Sequence, residues 1–481
     1  MVDAAWLVLL APLGAAIALG VSPRAAVARA GWLAAAIGAA LIVLFPPPPA
    51  TAIAVSWLPQ NQRALLSLGL QVDGFSGMAL LSLLVSVAAL RWRETPRPEA
   101  QVLISASAAL LFSPGIAQAS AAVAIIGFLG WRMAGDGPDS VRRFTSQRLA
   151  DGLALLAIAA LYHHAAGLSW DASIVGDSPP ALLIAALLAA AAAGAAGLLP
   201  WPRLKDLDPM ALLAAGLAGG VLLMREIEIL QSSEAVCVAV SGLGALTAAA
   251  AGLDGARRGH PQPTLAVWPA LIALLASIGE EGWAAVAVVL WPPLVLLAHT
   301  TAGALLTLAL IALPGAILWG VTLDGLVADQ RWAPLTLSVV SIVLMGMSTP
   351  KPRAPQGRTW ILAVGMLLLL SSASIALINI WGMRLAAPAV WSIGAALALG
   401  AAGAVVGARE GLPVIDVSVV WDQGWRGVHR GLRRMPRWKA PDLPEWPAMG
   451  SASWGWSGGA ALAVGGALAF IIYALAVGGL G

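Results

Sequence analysis

Charged residues are scarce along this chain, and their scarcity excludes a soluble globular domain. Only 11% of the 481 residues are charged, whereas 59% are hydrophobic. A soluble domain carries roughly 25% charged residues, which cover its water-facing surface. Because long apolar stretches recur over the whole length, the sequence predicts an all-α integral membrane protein whose Gly- and Ala-rich helices pack closely.

Cysteine is nearly absent, since Cys237 is the only one in the chain and lies inside an apolar run. A single cysteine excludes an intrachain disulfide, a Cys-ligated iron–sulfur cluster and a CxxC redox centre. Motifs for phosphate or dinucleotide binding, zinc proteolysis and nucleophilic hydrolysis do not occur either. The basic residues fall in connections between apolar stretches and form no nucleic-acid-binding face. We therefore predict no catalytic residue, no metal, no cofactor and no nucleic-acid partner.

A membrane-crossing helix needs about 20 apolar residues, which sets the expected number of crossings. Stretches of suitable length lie at 4–21, 26–45, 74–90, 100–114, 116–133, 150–167, 180–200, 209–229, 235–253, 265–279, 283–327, 332–348, 359–380, 385–408 and 455–480. The stretch 283–327 is long enough for two crossings. The sequence therefore predicts about 16 transmembrane helices, within a range of 14 to 16.

The placement of Lys and Arg predicts the topology. The connections after helices one, three, five, seven and nine hold most of these residues, whereas those after helices two, four, six and eight hold only Arg63 and Arg225. Because basic loops stay in the cytoplasm, the odd connections are predicted to be cytoplasmic and the N-terminus external. We expect a multi-pass protein of a bacterial-type inner (plasma) membrane, or of an equivalent energy-coupling membrane.

Two stretches are predicted to lie outside the bundle of residues 1–408. Residues 46–73 begin with four prolines and predict a short external hairpin or loop. Residues 409–454 form a basic segment rich in Trp and Pro, predicted at the cytoplasmic face. This segment is either a solvated loop beside anionic lipid or a docking site for a partner subunit. Residues 455–481 are predicted to form the final transmembrane helix.

Four motifs, in order along the chain, point to a known family. They are VDGFSGM at 72–78, FTSQRLADG at 144–152, Leu-Asp at 253–254, and LAH followed by ALL within 297–306. Together they resemble the antiporter-like subunit 5 of respiratory complex I, and the related subunits of multisubunit cation/proton antiporters, over roughly residues 55–325. The resemblance implies an antiporter-like bundle with inverted repeats, surrounded by lipid and by other membrane subunits.

The resemblance also implies a proton route, which this sequence departs from. The family moves protons along a buried glutamate, several lysines and a histidine, since ionisable groups in the bilayer are retained for charge transfer. Here the helix-five glutamate aligns with Gln118, the helix-seven lysine with Ala195, the helix-eight histidine near Ala215, and the helix-eleven lysine with Gly303. No lysine occurs between residues 205 and 351. The proton route is therefore predicted to be dismantled.

Four residues remain candidates for an ion pathway. Gln118 can form hydrogen bonds but cannot carry a proton charge. His299 is either a hydrogen-bonded core histidine or a residual contact for water or protons. Arg148 and Asp151 lie one helical turn apart, which favours a local ion pair at the start of helix six.

Helix packing and partners complete the expectations. Gly403 and Gly407 form a G-x-x-x-G spacing that lets two helices approach closely in lipid. The function expected is a non-catalytic, divergent membrane subunit of a complex-I-like or antiporter-like assembly, mainly a scaffold. One alternative is an active subunit that translocates protons or cations. Another is a membrane subunit of a proton-coupled inorganic-carbon uptake complex, with a soluble partner at the cytoplasmic face.

Overall fold

The computed structural model describes most of the chain up to residue 407. The described residues are 2–21, 24–45, 50–56, 67–91, 97–134, 138–164, 170, 179–198, 208–258, 265–299, 306, 309–310, 314–348, 359–377, 387 and 389–407. The segments predicted at 409–454 and 455–481 lie outside them.

The described residues form sixteen helices and one pair of strands. The helices are α1 Val2–Val21, α2 Ala25–Leu44, α3 Gly74–Arg91, α4 Pro98–Leu111, α5 Ile116–Ala134, α6 Pro138–His164, α7 Pro179–Ala196, α8 Pro209–Arg225, α9 Ile227–Gln231, α10 Glu234–Arg258, α11 Val267–Ser277, α12 Glu281–His299, α13 Gly315–Ala328, α14 Trp332–Met347, α15 Thr359–Leu377 and α16 Val390–Gly407. Six of them, α1, α2, α3, α5, α10 and α12, are long and apolar enough to cross a membrane. Eight more are apolar but shorter. The chain is a multi-pass membrane protein.

Two predicted boundaries can be compared with the helices directly. Within the predicted stretch 283–327 the described residues show α12 and α13 as separate helices, which agrees with more than one crossing. The predicted start of helix six at residue 150 was wrong, because α6 already begins at Pro138. Polar residues fill its first turns, so the apolar pattern did not reveal them, although proline favours the first turn of a helix.

The predicted span 209–229 is broken in the structure. Helix α8 ends at Arg225 and the short α9 begins at Ile227, with Glu226 between them at φ −91° and ψ 4°. The Glu226 N–H still donates to the Leu222 carbonyl at 2.9 Å, and its carbonyl accepts from the Leu230 N–H at 2.8 Å. The chain therefore bends at Glu226 without losing these backbone hydrogen bonds, which a pattern of apolar residues cannot reveal.

A β-hairpin precedes α3, as predicted for residues 46–73. Strand β1, Ala50–Ser56, pairs antiparallel with β2, Ser67–Val72, so that Ala50 faces Val72 and Ser56 faces Ser67. The register shifts between Ile53 and Val55. Among the described residues this hairpin is the one departure from an all-helical architecture.

Helix α12 forms the centre of the bundle, where it packs on α3, α8, α11 and α15. It contains Pro293, which has no N–H to donate to the Val289 carbonyl one turn earlier. The Ser82 hydroxyl of α3 donates to that carbonyl at 2.8 Å. A side-chain hydroxyl therefore replaces the missing backbone donor, as is required away from water.

Glycines of α8 allow α12 to approach closely. A Cβ at Gly216 would lie only 2.2 Å from the Trp291 ring, so only glycine fits there. The Trp291 Nε1 donates to the Leu213 carbonyl at 3.1 Å. The same surface of α8 continues at Gly220, where a Cβ would be 3.1 Å from Val288. Small residues on α8 thus bring α12 close enough for a side chain of one helix to bond the backbone of the other.

The predicted close approach at Gly403 is present, and its partner is within the chain. A Cβ at Gly403 would lie 2.1 Å from the Val343 carbonyl oxygen and 3.1 Å from the Gly346 Cα. Both belong to α14, so this surface joins α14 to α16 rather than to another subunit. The surroundings of Gly407 lie outside the described residues.

Candidate functional site

The start of α3 holds a partly buried ion pair. The Asp73 Oδ1 accepts from the Ser76 N–H at 2.6 Å and caps the helix. Arg225, the last residue of α8, places Nη2 2.5 Å from the Asp73 Oδ2 and 3.2 Å from the Ser76 hydroxyl. Its Cζ lies 5.6 Å from the centre of the Phe75 ring. Charge, hydrogen bonding and a cation–π contact thus join α8 to this motif.

The opposite ends of the same two helices hold a second ion pair. Arg91 is the last residue of α3, and it binds Asp208, which precedes α8. Asp208 also caps α8, because its Oδ1 accepts from the Met210 N–H at 2.8 Å. The side chains of Arg91 and Asp208 are only 14% and 13% exposed, so water screens this pair weakly.

The two pairs suit the dipoles of the helices they join. Each carboxylate, from Asp73 or Asp208, stands at a helix N-terminus, and each guanidinium, from Arg91 or Arg225, at a C-terminus. Helices α3 and α8 therefore run antiparallel, held together at both ends. This arrangement places the chain just after α3 and just before α8 at one end of the bundle, as the predicted topology requires.

His299, the last residue of α12, lies within electrostatic range of the Arg91–Asp208 pair. Both charged groups act on its imidazole. Its Nε2 is buried and accepts or donates no hydrogen bond within the described residues. The two alternatives for His299, a hydrogen-bonded core histidine and a contact for water or protons, both stay predictions.

Arg148 and Asp151 form the predicted ion pair, with 2.8 Å between Nη2 and Oδ2. Gln147 donates to the Asp151 Oδ1 at 3.4 Å, and Arg148 donates to the Ala124 carbonyl of α5 at 3.0 Å. The pair lies well inside α6 rather than at its start, because the helix begins at Pro138. Arg148 therefore belongs to a helix–helix contact and is not a loop charge.

Gln118 lies near the start of α5 and uses both atoms of its amide. Its Oε1 accepts from the Gly69 N–H at 3.0 Å, and its Nε2 donates to the Ala109 carbonyl at 3.1 Å. These bonds connect α5 to β2 and to α4. The predicted ion-pathway candidates thus lie in three separate surroundings. Gln118 bonds to backbone, Arg148 contacts Asp151 and α5, and His299 lies within electrostatic range of Arg91 and Asp208.

Sequence reasoning missed the residues that hold α3 to α8. Arg91 and Arg225 were interpreted only as loop charges that set the topology, and Asp208 was not considered. One sequence signal could have identified the four groups: an aspartate directly before each helix and an arginine as its last residue. What no local signal provides is the pairing of the two helices.

A further buried carboxyl group belongs to Glu226. The side chain of Glu226, at the bend between α8 and α9, is only 1% exposed. Its Oε2 is buried and forms no hydrogen bond in the described parts of the chain. Burying a carboxyl group without a hydrogen-bond partner is unfavourable. Glu226 is therefore a further polar site in an otherwise apolar part of the bundle.

Comparisons with known proteins identify solved structures with a similar fold. No protein-family model matches the chain, and neither does any curated protein. A chain in the structure of the Mrp complex from Dietzia sp. DQ12-45-1b matches with a TM-score of 0.67 and 16% identity, over 89% of this chain and 59% of that one. This chain thus spans little more than half the length of its Mrp match.

Respiratory complex I from Thermus thermophilus with bound NADH contains a second similar chain. It matches with a TM-score of 0.56 and 17% identity, over 82% of this chain and 99% of that one. At such identities the likeness concerns the fold alone. The chain therefore shares the fold of one chain in each of these two complexes.

Proposed function

We propose that this chain is a divergent membrane subunit of a multisubunit assembly of the complex I or Mrp type. In this role it serves mainly as scaffold, with proton conduction reduced or lost, in a bacterial-type inner membrane or an equivalent energy-coupling membrane. The shared fold supports the subunit role, because both similar chains come from multisubunit complexes. The partners would be other membrane subunits and lipid.

The two hydrogen bonds of Gln118 are the main support for the scaffold role. At the position where the resemblance implies a proton-carrying glutamate, an amide holds β2, α4 and α5 together through two backbone hydrogen bonds. Ala195, at the position of the helix-seven lysine, is only 3% exposed in α7 and has no ionisable group. A route that depends on groups changing charge lacks these two members.

The finer assignment, to subunit 5, belongs to the same proposal. It rests on the four motifs and on a plan of a bundle over 1–408, a cytoplasmic-face segment over 409–454 and a final helix over 455–481. The 16 crossings, the inverted repeats and the external N-terminus are likewise proposed. The two ion pairs support the alternation of sides, since they place α3 and α8 antiparallel.

Gentle purification tests the subunit role. The full chain, tagged and expressed from its natural locus, would be extracted in a mild detergent and its companions identified by mass spectrometry. We expect several other polytopic membrane proteins in fixed proportion. Recovery of the chain alone, under conditions that keep other membrane complexes of the same cells intact, would contradict the proposal.

An active translocating subunit is the second candidate, and His299 favours it. Its buried Nε2 beside Arg91 and Asp208 could exchange a proton with water. Proteoliposomes with an imposed proton gradient distinguish the two. Flux near the lipid baseline supports the scaffold, whereas flux that His299→Ala abolishes supports translocation. A stable soluble partner at the face holding 409–454 would instead favour the inorganic-carbon alternative.

A further inference from the structure

A line of buried polar groups follows the contact between α3, α8 and α12. We call it the seam and define it by Ser82, Ser86 and Arg91 of α3, Asp208 before α8, and His299 of α12. The Ser82 hydroxyl is bound to the Val289 carbonyl. Ser86 lies one turn nearer Arg91, on the face of α3 that also holds Ser82.

The Ser86 hydroxyl is not satisfied by its surroundings. The side chain is fully buried, yet Oγ forms no hydrogen bond within the described residues. A buried serine in a helix ordinarily donates to the carbonyl one turn earlier. A buried hydroxyl left without a partner costs roughly 1–3 kcal/mol, so such groups usually indicate a water molecule.

One more group in the seam lacks a hydrogen-bonding partner, and a neighbouring turn of α12 lacks a helical donor. The Nε2 of His299 is buried without a partner in the part of the chain that the structure describes. Pro292 has no N–H to donate to the Val288 carbonyl, just as Pro293 has none for Val289. At 1.5 Å of helical rise per residue, Ser86 lies only about 6 Å from the level of Ser82 and about 8 Å from that of Arg91. One or two water molecules can bridge such separations.

We propose that water enters the seam at its Arg91 end and reaches the Ser86 hydroxyl. The Arg91–Asp208 pair lies at the mouth, where side chains 14% and 13% exposed still meet the surface. Water there satisfies the Ser86 hydroxyl and the His299 Nε2, since a buried water needs two to four polar partners. Water in the seam is also compatible with a subunit that conducts no ions, because the route ends at Ser82, whose hydroxyl is already bound.

Cysteine reactivity tests this water directly. The only cysteine, Cys237, is replaced by serine, which can keep the hydrogen bond from its side chain to the Leu230 carbonyl. Ser86→Cys is then compared with Ser107→Cys. Ser107 is equally buried, but its hydroxyl donates to the Leu103 carbonyl within α4, away from the seam. Purified full-length protein is treated with 2-aminoethyl methanethiosulfonate, which reacts with thiolate and therefore needs water at the thiol.

We expect Ser86→Cys to react at least about tenfold faster than Ser107→Cys. Leu90→Cys, one turn nearer the mouth, should react at least as fast as Ser86→Cys. If Ser86→Cys and Ser107→Cys reacted equally slowly, the proposal would be wrong. Equally fast reaction of the two would also overturn it, because it would show that the whole helix bundle had become accessible to water. Reaction at 90 but not at 86 would confine water to the mouth and overturn it too. None of these rates depends on ion flux or on partner subunits.

Discussion

Arg225 reaches Asp73 across 152 positions of sequence, and the two side chains meet with 2.5 Å between Nη2 and Oδ2. The same carboxylate caps α3, so one aspartate both starts a helix and fixes its neighbour. The two side chains are 12% and 17% exposed, which leaves little water to replace either partner. Removing either partner here therefore costs more folding free energy than removing one partner of an ion pair at a protein surface.

Replacing Asp73 by asparagine should destabilise the bundle. The asparagine amide would keep an oxygen for the Ser76 N–H but would remove the carboxylate that the Arg225 guanidinium contacts. We expect a loss on the order of 3 kcal/mol, seen as a lower midpoint of thermal unfolding in detergent. Glu228→Gln is the control, because it removes an acid from an exposed position of α9. Equal shifts in both variants would show that net charge, and not the pair, is responsible.

Exchanging the charges of the second ion pair should rescue stability only in part. Arg91→Asp alone places two carboxylates side by side, and adding Asp208→Arg restores opposite charges. The exchanged pair opposes both helix dipoles and removes the cap on the Met210 N–H. The double variant should therefore unfold between the single variant and the wild type. Full recovery would mean that neither the cap nor the dipole contributes.

A more exposed pair provides the comparison for this exchange. Arg132 and Glu99 lie 3.3 Å apart with side chains 62% and 29% exposed. Surface pairs contribute roughly 0–1 kcal/mol. Arg132→Glu should therefore change the unfolding midpoint far less than Arg91→Asp does, measured under the same conditions.

Removing the Ser82 hydroxyl should destabilise the bundle, because the prolines of α12 provide no backbone donor in its place. Ser82→Ala leaves the Val289 carbonyl with neither a helical donor nor a side-chain donor. We expect a loss of roughly 1–3 kcal/mol in unfolding free energy. Ser372→Ala is the control, since that exposed serine donates to the Leu368 carbonyl, which lies in a helix without proline nearby. Similar small effects in both variants would contradict this role for Ser82.

Much of the fold follows from local patterns in the sequence. Apolar length predicted most helices and the division of 283–327 into α12 and α13. A run of prolines followed by loose alternation predicted a hairpin or loop before α3, and the hairpin is what forms. The Arg148–Asp151 pair was predictable because its members are three residues apart on one helix. In each case the physical cause lies within a few residues of its effect.

The remainder depends on contacts between distant segments. Nothing near Glu226 predicts a bend, since neither glycine nor proline stands there and the backbone hydrogen bonds continue through it. The pairing of Asp73 with Arg225 needs α8 beside α3, which only the whole bundle provides. The G-x-x-x-G spacing at Gly403 predicted a close helix contact but could not identify α14 as its partner.

Adding one methyl group at Gly403 should separate α16 from α14. The new Cβ of Gly403→Ala would meet the Val343 carbonyl oxygen at 2.1 Å, and backbone cannot yield as a flexible side chain can. We expect destabilisation of about 1–3 kcal/mol. Gly394→Ala on the same helix is the matched control, because nothing lies within 4 Å of its Cβ and alanine favours helices. If Gly403→Ala released partner subunits while leaving the stability of the isolated chain unchanged, the surface would belong to an intersubunit contact instead.

Restoring a glutamate at Gln118 should neither restore transport nor preserve stability. In Gln118→Glu the Ala109 carbonyl loses its donor and faces a carboxylate oxygen, while the Gly69 N–H keeps an acceptor. A lost hydrogen bond together with a half-buried charge should cost roughly 1–3 kcal/mol. Gln118→Met, of similar volume, loses both hydrogen bonds but buries no charge and separates the two contributions.

Flux in proteoliposomes should stay near the lipid baseline in both variants, because the neighbouring position in the implied route is Ala195, which cannot accept a proton. Gradient-driven flux that appears with glutamate and not with methionine would show that water already connects this position to both sides, and the scaffold proposal would then be wrong.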